Sequence, residues 1–367
     1  MKKKIMVVYG TRPELIKLAP LILALQRRSD RFETFQLATA QHRQMLDQML
    51  EIFGLTPDED LNVMTPNQTL EGLTSLLLTR ISGVLDREKP GWVVVQGDTT
   101  TAMAASLAAF YKRIPILHVE AGLRTDDIYN PFPEEINRRI VSVMAALHCA
   151  PTEWSAGNLR REGIPEAKIL VTGNTVVDAL KIITPRLDQA EPAYRRPKEK
   201  AMVLVTAHRR ENFGAPMERI FQSLLTFRKL HPEVEIVYPV HPNPNVSQKA
   251  REYLGNQEGI HLLPPQDYLS FLSLLRESSI LLTDSGGVQE EAPTFGKPVL
   301  VMRKVTERPE GVDAGIAKLV GTEPAVILEA LEALLREHKK GGTILSNPYG
   351  DGRASERIVQ ALEESSL

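Results

Sequence analysis

Short apolar runs along the chain alternate with stretches in which apolar residues recur every three or four positions. The run Ile5–Tyr9 is followed by the turn Gly10–Pro13. From Leu15 to Leu25, apolar residues then keep a helical spacing. The same order returns at Trp92–Gln96. Continuously apolar strands separated by amphipathic helices are typical of a parallel sheet with helices on both faces, so the pattern predicts the α/β class.

The apolar runs fall into two groups, separated by the polar, proline-containing segment 185–200. The first group predicts strands at Ile5–Tyr9, Trp92–Gln96, Ile114–Val119 and Ile169–Thr172. The second group predicts five strands, at Met202–Thr206, Glu235–Val240, Ile260–Leu263, Ile280–Thr283 and Val299–Met302. Two such groups predict two doubly wound domains of similar size, and 367 residues are enough to build them.

The composition limits the classes of function. Hydrophobic residues make up 43% and charged residues 25%, as in globular proteins, and a net charge of −2 offers no basic field to nucleic acid. Because Cys149 is the one cysteine, an intrachain disulfide is excluded and a reducing compartment is expected. No apolar run suits a membrane span, and Lys2–Tyr9 lacks the features of a signal peptide, so we expect a cytoplasmic protein. No histidine or cysteine spacing predicts a metal site.

Acidic residues follow predicted strands of the first group. Asp98 comes just after Trp92–Gln96, and Glu120 follows Ile114–Val119 directly. Glu134 lies after a proline-stiffened loop. Ligands of open α/β sheets bind beyond the carboxyl ends of the strands, so these carboxylates are candidates for acid–base chemistry. Asp98 could instead cap the next helix, but three acidic sites near strand ends are unusual for a purely structural role.

Two glycine-containing turns are candidates for phosphate binding. In Thr283–Gly287 a strand ends in two glycines, and Val288–Phe295 is predicted to be a helix. Free N–H groups at such a helix start can hold a diphosphate. In the turn after the first strand, Arg12 and Lys17 could neutralise phosphate charge. The alternatives are an ordinary strand-to-helix turn and two solvated cations, and the Gly-Lys-Ser/Thr ending of a P-loop is absent.

A basic turn follows the first strand of the second group. His208 could donate to a leaving diphosphate, and Arg209 or Arg210 could pair with a phosphate or an acid. His241, after the next strand, repeats the arrangement more weakly. The alternative is a basic surface turn without a ligand.

Several motifs together resemble the non-hydrolysing UDP-N-acetylglucosamine 2-epimerases. The resemblance covers essentially the whole chain, and the combination is specific although each motif alone is not. The motifs are Gly10–Lys17, Gln41–Arg43, Gly97–Thr101, His118–Arg124, Pro133–Glu135, His208–Glu211, Asp284–Pro293, Thr306–Glu310 and Asn347–Gly352.

The resemblance implies a GT-B fold, in which two Rossmann-like domains flank an interdomain cleft, and usually a homodimer. The expected domains are residues 1–173, joined by the C-terminal helix 353–367, and residues 174–352. It also implies reversible interconversion of UDP-GlcNAc and UDP-ManNAc without metal or NAD. The family's route eliminates UDP to give 2-acetamidoglucal and then adds UDP back, and the product would supply ManNAc units for cell-surface polysaccharide.

By matching motifs, the resemblance implies roles for individual residues. The implied catalytic residues are Asp98, Glu120, Glu134 and His208. The implied contacts with UDP are Arg12, Lys17, Gln266, Phe271, Ser285, Gly286, Gly287, Glu291 and Arg308. The carboxylates would serve proton transfer at carbon 2, and His208 would assist UDP departure. Gln266 and Phe271, in the loop 264–271, would contact the uracil, and Glu291 would bind the ribose.

Some bacterial members of the family are activated by a second UDP-GlcNAc molecule. The positions used there match Gln41, Gln44, Glu134, Arg209 and His241. Asn67 stands where some activated members have arginine, so a regulatory site is expected to be weaker or differently tuned.

Three other functions stay open from the sequence. A GT-B glycosyltransferase would share the fold and the UDP site but transfer the sugar to an acceptor. A hydrolysing epimerase would release free ManNAc and UDP. A non-catalytic nucleotide-sugar binding protein would have no need for Asp98, Glu120 and Glu134. Related epimerases act on modified sugars, so the decoration of the sugar is open as well.

Overall fold

The computed structural model describes residues 2–39, 43–65, 68–188, 193–340 and 346–365, with the backbone alone for residues 43 and 44. The chain forms two compact units. Unit 1 comprises Met1–Ile182 and Tyr349–Leu367, and unit 2 comprises Ile183–Pro348. Each unit contains a parallel sheet with helices, which confirms the predicted α/β class.

Unit 1 has a seven-stranded parallel sheet. Its strands are β1 (Lys3–Tyr9), β2 (Phe32–Ala38), β3 (Glu59–Asp60), β4 (Trp92–Gln96), β5 (Ile116–Val119), β6 (Leu147–Ala150) and β7 (Ile169–Val171). Its helices are α1 (Arg12–Arg27), α2 (Arg43–Phe53), α3 (Leu70–Glu88), α4 (Thr100–Tyr111), α5 (Glu134–Met144), α6 (Glu153–Arg161) and α7 (Thr175–Leu187), of which α7 continues into unit 2. The strand order is β3-β2-β1-β4-β5-β6-β7. The direction of strand addition reverses between β1 and β4, and such a switch point is where ligands of doubly wound sheets bind.

A layer of small side chains holds the centre of unit 1 together. All five residues of β4 are buried, and α4 also buries Ala102, Ala104, Ala105, Ala108 and Ala109. Because alanine is short, α3 and α5 approach α4 closely on either side. Each buried valine of β4 contributes about 1.5–3 kcal/mol, so the end of this strand is a firm platform for the residues that follow it.

Unit 2 has a six-stranded parallel sheet. Its strands are β8 (Ala201–Thr206), β9 (Val234–Pro239), β10 (Ile260–Leu263), β11 (Ile280–Thr283), β12 (Val299–Val301) and β13 (Ala317–Leu319). Its helices are α8 (Ala215–Leu230), α9 (Pro244–Leu254), α10 (Tyr268–Glu277), α11 (Gly286–Glu291), α12 (Pro309–Asp313) and α13 (Pro324–Lys339). The order β10-β9-β8-β11-β12-β13 places the switch point between β8 and β11.

The prediction of five strands in the second sheet was wrong, because β13 makes a sixth. This edge strand has three residues with Lys318 in the middle, so it offers no apolar run. The predicted helix Val288–Phe295 also differs from the structure. Pro293 lacks the N–H that would continue α11, and residues Ala292–Phe295 form a 3₁₀ turn instead.

The division between the units falls within α7, after Ile182, whereas the sequence expectation places it at residue 173. The first turns of α7 are tied to the C-terminal segment of unit 1. The carboxylate of Asp178 accepts hydrogen bonds from the backbone N–H groups of Ala354 (3.2 Å) and Ser355 (2.8 Å). These bonds keep the start of α7 in unit 1.

The last helix, α14 (Ala354–Glu364), packs against α1 and closes unit 1. The ammonium of Lys3, the first residue of β1, donates to the carbonyl oxygens of Leu362 (2.8 Å) and Glu363 (3.1 Å). A cation at a helix C-terminus satisfies carbonyl groups that have no partner within the helix. The first strand and the last helix of the described chain are therefore joined.

Cys149 lies fully buried in β6. Among the described residues, no helix combines the length and the apolar character that a membrane crossing requires.

Candidate active site

A buried carboxylate fixes the turn between β1 and α1. Glu14 accepts hydrogen bonds from the backbone N–H groups of Gly10 (3.0 Å) and Thr11 (2.7 Å). It also accepts one from the hydroxyl of Thr99 (2.7 Å), which follows β4. Burial raises the pKa of Glu14, and these hydrogen bonds act in the opposite direction. The sequence analysis did not identify this role, although Thr11 and Glu14 have the spacing of a helix capping box.

Gly10 lies where the chain segments after β1, β2 and β4 converge. A Cβ atom at Gly10 would lie 2.2 Å from Thr39 Oγ1 and 2.6 Å from Thr101 Oγ1. These two hydroxyls are 3.1 Å apart and form a hydrogen bond with each other. Only glycine fits at this point, which brings the start of α1 close to the segment after β4.

Glu120 follows β5 in an unusual backbone conformation. Its φ of +63° lies in the left-handed region, which is sparsely occupied by residues other than glycine. The side chain is 7% exposed, and its carboxylate forms an ion pair with Lys17. It also accepts hydrogen bonds from the side-chain amides of Gln96 (3.0 Å) and Asn174 (3.4 Å). These three partners fix the orientation of the Glu120 carboxylate. The ammonium of Lys17 lies against this carboxylate.

Asp98 lies beyond β4 and pairs with a cation from α5. Its carboxylate forms an ion pair with Arg138, and its carbonyl accepts a hydrogen bond from the side chain of Asn137 (2.9 Å). The alternative that Asp98 caps α4 is wrong, because the N-cap is Thr99, whose hydroxyl accepts from the N–H of Ala102 (3.0 Å). Asp98 is therefore available for another role.

The strand ends that carry Asp98 and Glu120 are level with each other. Strands β4 and β5 are parallel neighbours, and Gln96 pairs with Val119 in their register. Nearby, His118 is fully buried, with Nε2 2.8 Å from the carbonyl oxygen of Gly97. Burial lowers the pKa of His118 to about 3, so the ring is neutral near pH 7 and braces the two strand ends.

The two adjacent acids at the start of α5 have different surroundings. Glu135 is fully buried, where it pairs with Arg138 (3.3 Å) and Arg139 (2.9 Å) and accepts the N–H of Thr125 (3.2 Å). These contacts give it a structural role. Glu134 opens the helix and is half-buried. Residues four apart share one face of a helix, so Glu134 lies on the face of α5 that presents Arg138 to Asp98.

In unit 2, a buried carboxylate organises the turn after β8. Asp284 directly follows β11, and its Oδ2 accepts hydrogen bonds from the backbone N–H groups of His208 (2.8 Å) and Arg209 (2.9 Å). The side-chain amide of Asn212 donates to the same oxygen (3.1 Å). His208 Nδ1 lies 3.5 Å from the other oxygen, Oδ1. Strands β8 and β11 flank the switch point, so this turn occupies the expected ligand position of the sheet.

The glycine turn before α11 lies against an arginine. A Cβ atom at Gly286 would lie 2.6 Å from Arg308 Nη1, so the guanidinium packs directly on this backbone. Arg308 is oriented by ion pairs with Glu290 (2.6 Å) and Glu307 (3.3 Å). The turn therefore combines helix-start N–H groups with an adjacent cation, an arrangement that suits a diphosphate. Ser285 already donates its N–H to Thr283 Oγ1 (3.0 Å), and Gly287 is exposed.

The residues expected to contact the nucleoside lie on and before α10 and α11. Glu291 is buried and accepts a hydrogen bond from the hydroxyl of Tyr268 (2.8 Å). Gln266 is half-buried, and its amide donates to the carbonyl of Pro264 (2.6 Å). Phe271 was expected in a loop, but it lies in α10, because the helix begins at Tyr268.

The structure describes part of the expected regulatory set. The ring of His241 stacks on that of His208, with centroids 5.4 Å apart and an interplanar angle of 16°. The half-buried side chains of Arg209 and Arg12 have no hydrogen bond or ion pair with the residues that the structure describes. Two members of the set, Gln41 and Gln44, lie outside the described side chains, as does Asn67, the position where some activated members have arginine.

Within the described ranges, no group of three or more His, Cys, Asp and Glu side chains is arranged to hold a metal ion. The roles of Gln96, Asn174 and Arg138 were not predicted from the sequence, because these residues act on other side chains. For two of them the sequence offers a clue in their position, because Gln96 ends a predicted strand and Asn174 comes just after one.

Comparisons with known proteins agree over nearly the whole chain. A family model described as UDP-N-acetylglucosamine 2-epimerase matches residues 24–363. A protein of that name from Salmonella typhimurium is 50% identical over 98% of this chain and 98% of its own length. A crystal structure of UDP-GlcNAc 2-epimerase from Neisseria meningitidis, bound to UDP-GlcNAc, has a TM-score of 0.91 at 47% identity and covers 99% of this chain and 100% of that one. The S. aureus protein MnaA, in a co-structure with UDP, has a TM-score of 0.88 at 46% identity, with 98% and 96% covered.

Proposed function

The chain belongs to the UDP-N-acetylglucosamine 2-epimerase family, and from this premise we propose that it inverts carbon 2 of UDP-GlcNAc by eliminating UDP and adding it back. The resemblance found in the motifs is confirmed. The protein is an enzyme of the GT-B fold, a UDP-N-acetylglucosamine 2-epimerase. The proposed reaction is the reversible interconversion of UDP-GlcNAc and UDP-ManNAc. The elimination route, the residue roles and the regulation described below are proposals.

The chemistry of carbon 2 explains why UDP must leave. The C2 proton is not adjacent to a carbonyl group, so simple deprotonation is difficult. As the bond between C1 and the UDP oxygen breaks, C1 gains positive charge and the C2 proton becomes more acidic. A base takes that proton, a double bond forms between C1 and C2, and UDP departs with the bonding electrons. Proton delivery to the other face of C2, with return of UDP to C1, gives the epimer.

The observation that carries this proposal is the set of carboxylates at the ligand edge of unit 1. Asp98 and Glu120 follow neighbouring strands, and Glu134 starts the helix that holds Asp98 through Arg138. Inversion needs proton transfer on two faces of one carbon, so it needs more than one acid–base group. A binding protein needs none of them.

The ligand edge of unit 2 supports the nucleotide half of the proposal. Arg308 and the N–H groups around Gly286 would hold the diphosphate. His208 would donate a hydrogen bond to the departing diphosphate. Glu291 would bind ribose hydroxyls, and the segment from Gln266 to Phe271 would contact the uracil.

Proton NMR of the purified protein with UDP-GlcNAc in D₂O tests the proposal. Formation of UDP-ManNAc with deuterium at C2 is the expected result. Glu120→Gln should slow conversion by about 10²–10⁴-fold, the usual contribution of a general acid or base. The exposed surface residue Glu33 gives a matched control, Glu33→Gln, with unchanged turnover. Free ManNAc with UDP would indicate a hydrolysing epimerase, and intact, undeuterated UDP-GlcNAc would contradict the proposed activity.

A second UDP-GlcNAc is the proposed regulator, acting through Gln41, Gln44, Glu134, Arg209 and His241. Support comes from the stacking of His241 on His208, because a ligand that contacts His241 would press on the ring of a catalytic residue. The test compares initial rates with UDP-ManNAc alone and after adding trace UDP-GlcNAc. Acceleration by the trace is expected, and linear rates without it would refute the regulation.

A homodimer is proposed from the family and from an apolar surface. Helix α5 exposes Ile136, Ile140 and Val143 at the spacing of one helical face, and Tyr129 and Phe132 are exposed just before it. Several exposed apolar side chains on one helical face are typical of an interaction site.

We also propose a cytoplasmic location and a role in supplying ManNAc units for surface polysaccharide. The single buried Cys149 supports a reducing compartment.

A further inference from the structure

The turn that carries His208 is joined to the neighbouring strand by its backbone. Strands β8 and β11 are parallel, with Thr206 opposite Thr283, and the N–H of Asp284 donates to the carbonyl of Thr206 (3.1 Å). The hydroxyls of Thr206 and Thr283 are 2.5 Å apart. Asp284 and His208 therefore start from fixed, adjacent strand ends.

The two oxygens of Asp284 have different surroundings. The side chain is 0% exposed, and Oδ2 already accepts three N–H donors. Oδ1 has no hydrogen bond with the described residues, and His208 Nδ1 faces it at 3.5 Å. A buried carboxylate oxygen without a donor is costly, so the imidazole nitrogen facing it should carry a proton.

We propose that Asp284 is a positioning residue: it holds the proton of neutral His208 on Nδ1 and turns Nε2 away from itself, toward the substrate, so that Nε2 can donate when the ring is the doubly protonated imidazolium. The two ring nitrogens point in different directions, so fixing one fixes the other. The same carboxylate holds the backbone of residues 208 and 209, which sets the place of the ring as well as its tautomer. The tautomer stands on the structure alone, whereas its use on a diphosphate rests on the proposed function.

Charged and titratable groups near the ring come from several elements of the described chain. Asp284 belongs to the end of β11, and the ring of His241, beyond β9, stacks on the ring of His208. Arg209 and Arg210 follow His208 on the same turn. Tyr238 of β9 directs its hydroxyl to the carbonyl of Ala207 (2.7 Å), next to the histidine.

Asp284→Asn tests the role with little change of shape. The amide oxygen can replace Oδ2 and keep the three N–H bonds, and the NH₂ group then takes the place of Oδ1. Because an amide NH₂ group is a donor, the facing Nδ1 must be unprotonated, and the proton of neutral His208 moves to Nε2. Nitrogen-15 NMR of histidine-labelled full-length protein reports this tautomer. The variants His208→Gln and His241→Phe identify each signal by its loss.

The pH profile of turnover gives an independent readout. A carboxylate beside the ring favours the imidazolium, so its removal should move the loss of protonated His208 to lower pH by about one to three units. Asn212→Ala is the matched control, because it removes one bond to Oδ2 and leaves Oδ1 facing the ring. This variant should keep both the Nδ1–H tautomer and the position of the pH limb.

The outcomes separate clearly. Nδ1–H in the wild type, Nε2–H in Asp284→Asn and a shifted pH limb would support the proposal. A proton on Nε2 in the wild type would overturn the proposal. It would also be overturned if the pH profile of turnover were the same in Asp284→Asn and in the wild type. The wild-type spectrum decides even if Asp284→Asn fails to fold. If the wild type neither epimerises UDP-GlcNAc nor exchanges its C2 proton, the proposed function fails while the tautomer measurement stands.

Discussion

Two groups of carboxylates in this protein differ in their contacts and in their exposure to solvent. Glu14 and Asp284, at 1% and 0% exposed, accept backbone N–H groups and hold turns in place. Asp98, with 24% of its side chain exposed, pairs instead with the cation of Arg138. A group that exchanges protons with a substrate needs access to it, and this supports the proposed catalytic role of Asp98. Glu120 combines both features, since it is fixed by its neighbours and lies at a strand end.

Replacing Gln96 tests how strongly turnover depends on the orientation of Glu120. Gln96→Leu keeps the size of the side chain and removes the 3.0 Å hydrogen bond to the carboxylate. Gln96→Glu adds a like charge at the same place, which disfavours the ionised form of the pair. We expect turnover to fall about 10-fold with leucine, the effect of one hydrogen bond to a charged group, and further with glutamate.

The measurement is kcat at saturating UDP-GlcNAc, together with the affinity for UDP. Affinity should change little, because Gln96 is not among the proposed UDP contacts. Equal kcat in the wild type and both variants would show that the hydrogen bond has no role in orienting Glu120.

Glu307 gives a pH dependence of stability with a defined sign. Burial alone would raise its pKa, but the charges of Arg308 and Arg303 outweigh burial and lower the pKa to about 2. A lowered folded-state pKa stabilises the protein above the unfolded pKa of about 4.3, and this contribution is lost as pH falls toward 2. The lowering of the Glu307 pKa from 4.5 to about 2 corresponds to a contribution of about 3 kcal/mol to the free energy of unfolding.

Glu307→Gln should therefore lower the free energy of unfolding of unit 2 at pH 7, and the gap to the wild type should close between about pH 5 and pH 2. Urea unfolding at a series of pH values measures this. Glu323→Gln is the control, because its pair with Arg219 (3.4 Å) is on the surface and should contribute less than about 1 kcal/mol. A gap that stays constant with pH would contradict the assignment.

At the scale of elements, the site depends on two turns in which neighbouring groups leave space only for glycine. The first turn of unit 1 needs Gly10 because hydroxyls from two other segments occupy the space of a side chain. The turn after β11 needs Gly286 because the guanidinium of Arg308 lies there. In both turns, close approach of other groups sets the requirement.

Gly10→Ala should lower the free energy of unfolding by about 1–3 kcal/mol or more, since its Cβ overlaps Thr39 and Thr101. Gly83→Ala is the matched control. Gly83 lies exposed within α3 with open space around it, so alanine there should stabilise the helix by about 0.5–1 kcal/mol. Opposite signs for the two variants in chemical unfolding are expected, and equal effects would rule out the clash.

The central strands could be predicted from the sequence because they are buried on both faces. Strands such as β4 and β11 are continuous apolar runs, and their bounds agree with the prediction. Strand β2 was missed because Glu33, Thr34 and Gln36 interrupt it, as suits a strand nearer the edge of the sheet. Edge strands are short or polar, so their pairing depends on neighbours that a linear pattern does not show.

The chemistry of the site was predictable only where residues stand at strand ends. Asp98 and Glu120 follow central strands, so their position alone marks them. Partners that orient them, such as Asn174 and Arg138, come from elements distant in sequence. Their roles depend on three-dimensional contacts, and no spacing rule encodes such contacts.

At the scale of the whole molecule, both units repeat one arrangement. In each sheet the strand order reverses beside the first strand, and residues with candidate chemistry follow the strands at that reversal or next to it. Unit 1 places carboxylates there, and unit 2 places a histidine and a glycine turn. Carboxylates in one unit and a candidate phosphate site in the other suit the proposed reaction, in which a proton and a diphosphate leave neighbouring carbons.

The apolar face of α5 allows a test of the proposed homodimer. Val143 is 83% exposed, so aspartate there should cost little in a monomer but disrupt an interface. Val143→Asp should convert the dimer to a monomer in light scattering at micromolar concentration. Val326→Asp, at an exposed position of α13, is the control and should leave the mass unchanged. A monomeric wild type would refute the dimer.

The bonds between Lys3 and the end of α14 have a consequence for protein synthesis. A ribosome delivers the chain from its N-terminus, and domains generally fold as they emerge. Unit 2 can become complete during translation, once Pro348 has emerged. Unit 1 must wait with its first strand formed and its closing helix not yet made. The half of the enzyme that is synthesised first is thus the half that matures last, and a nascent chain stalled before residue 349 would expose the surface of α1 that α14 later covers.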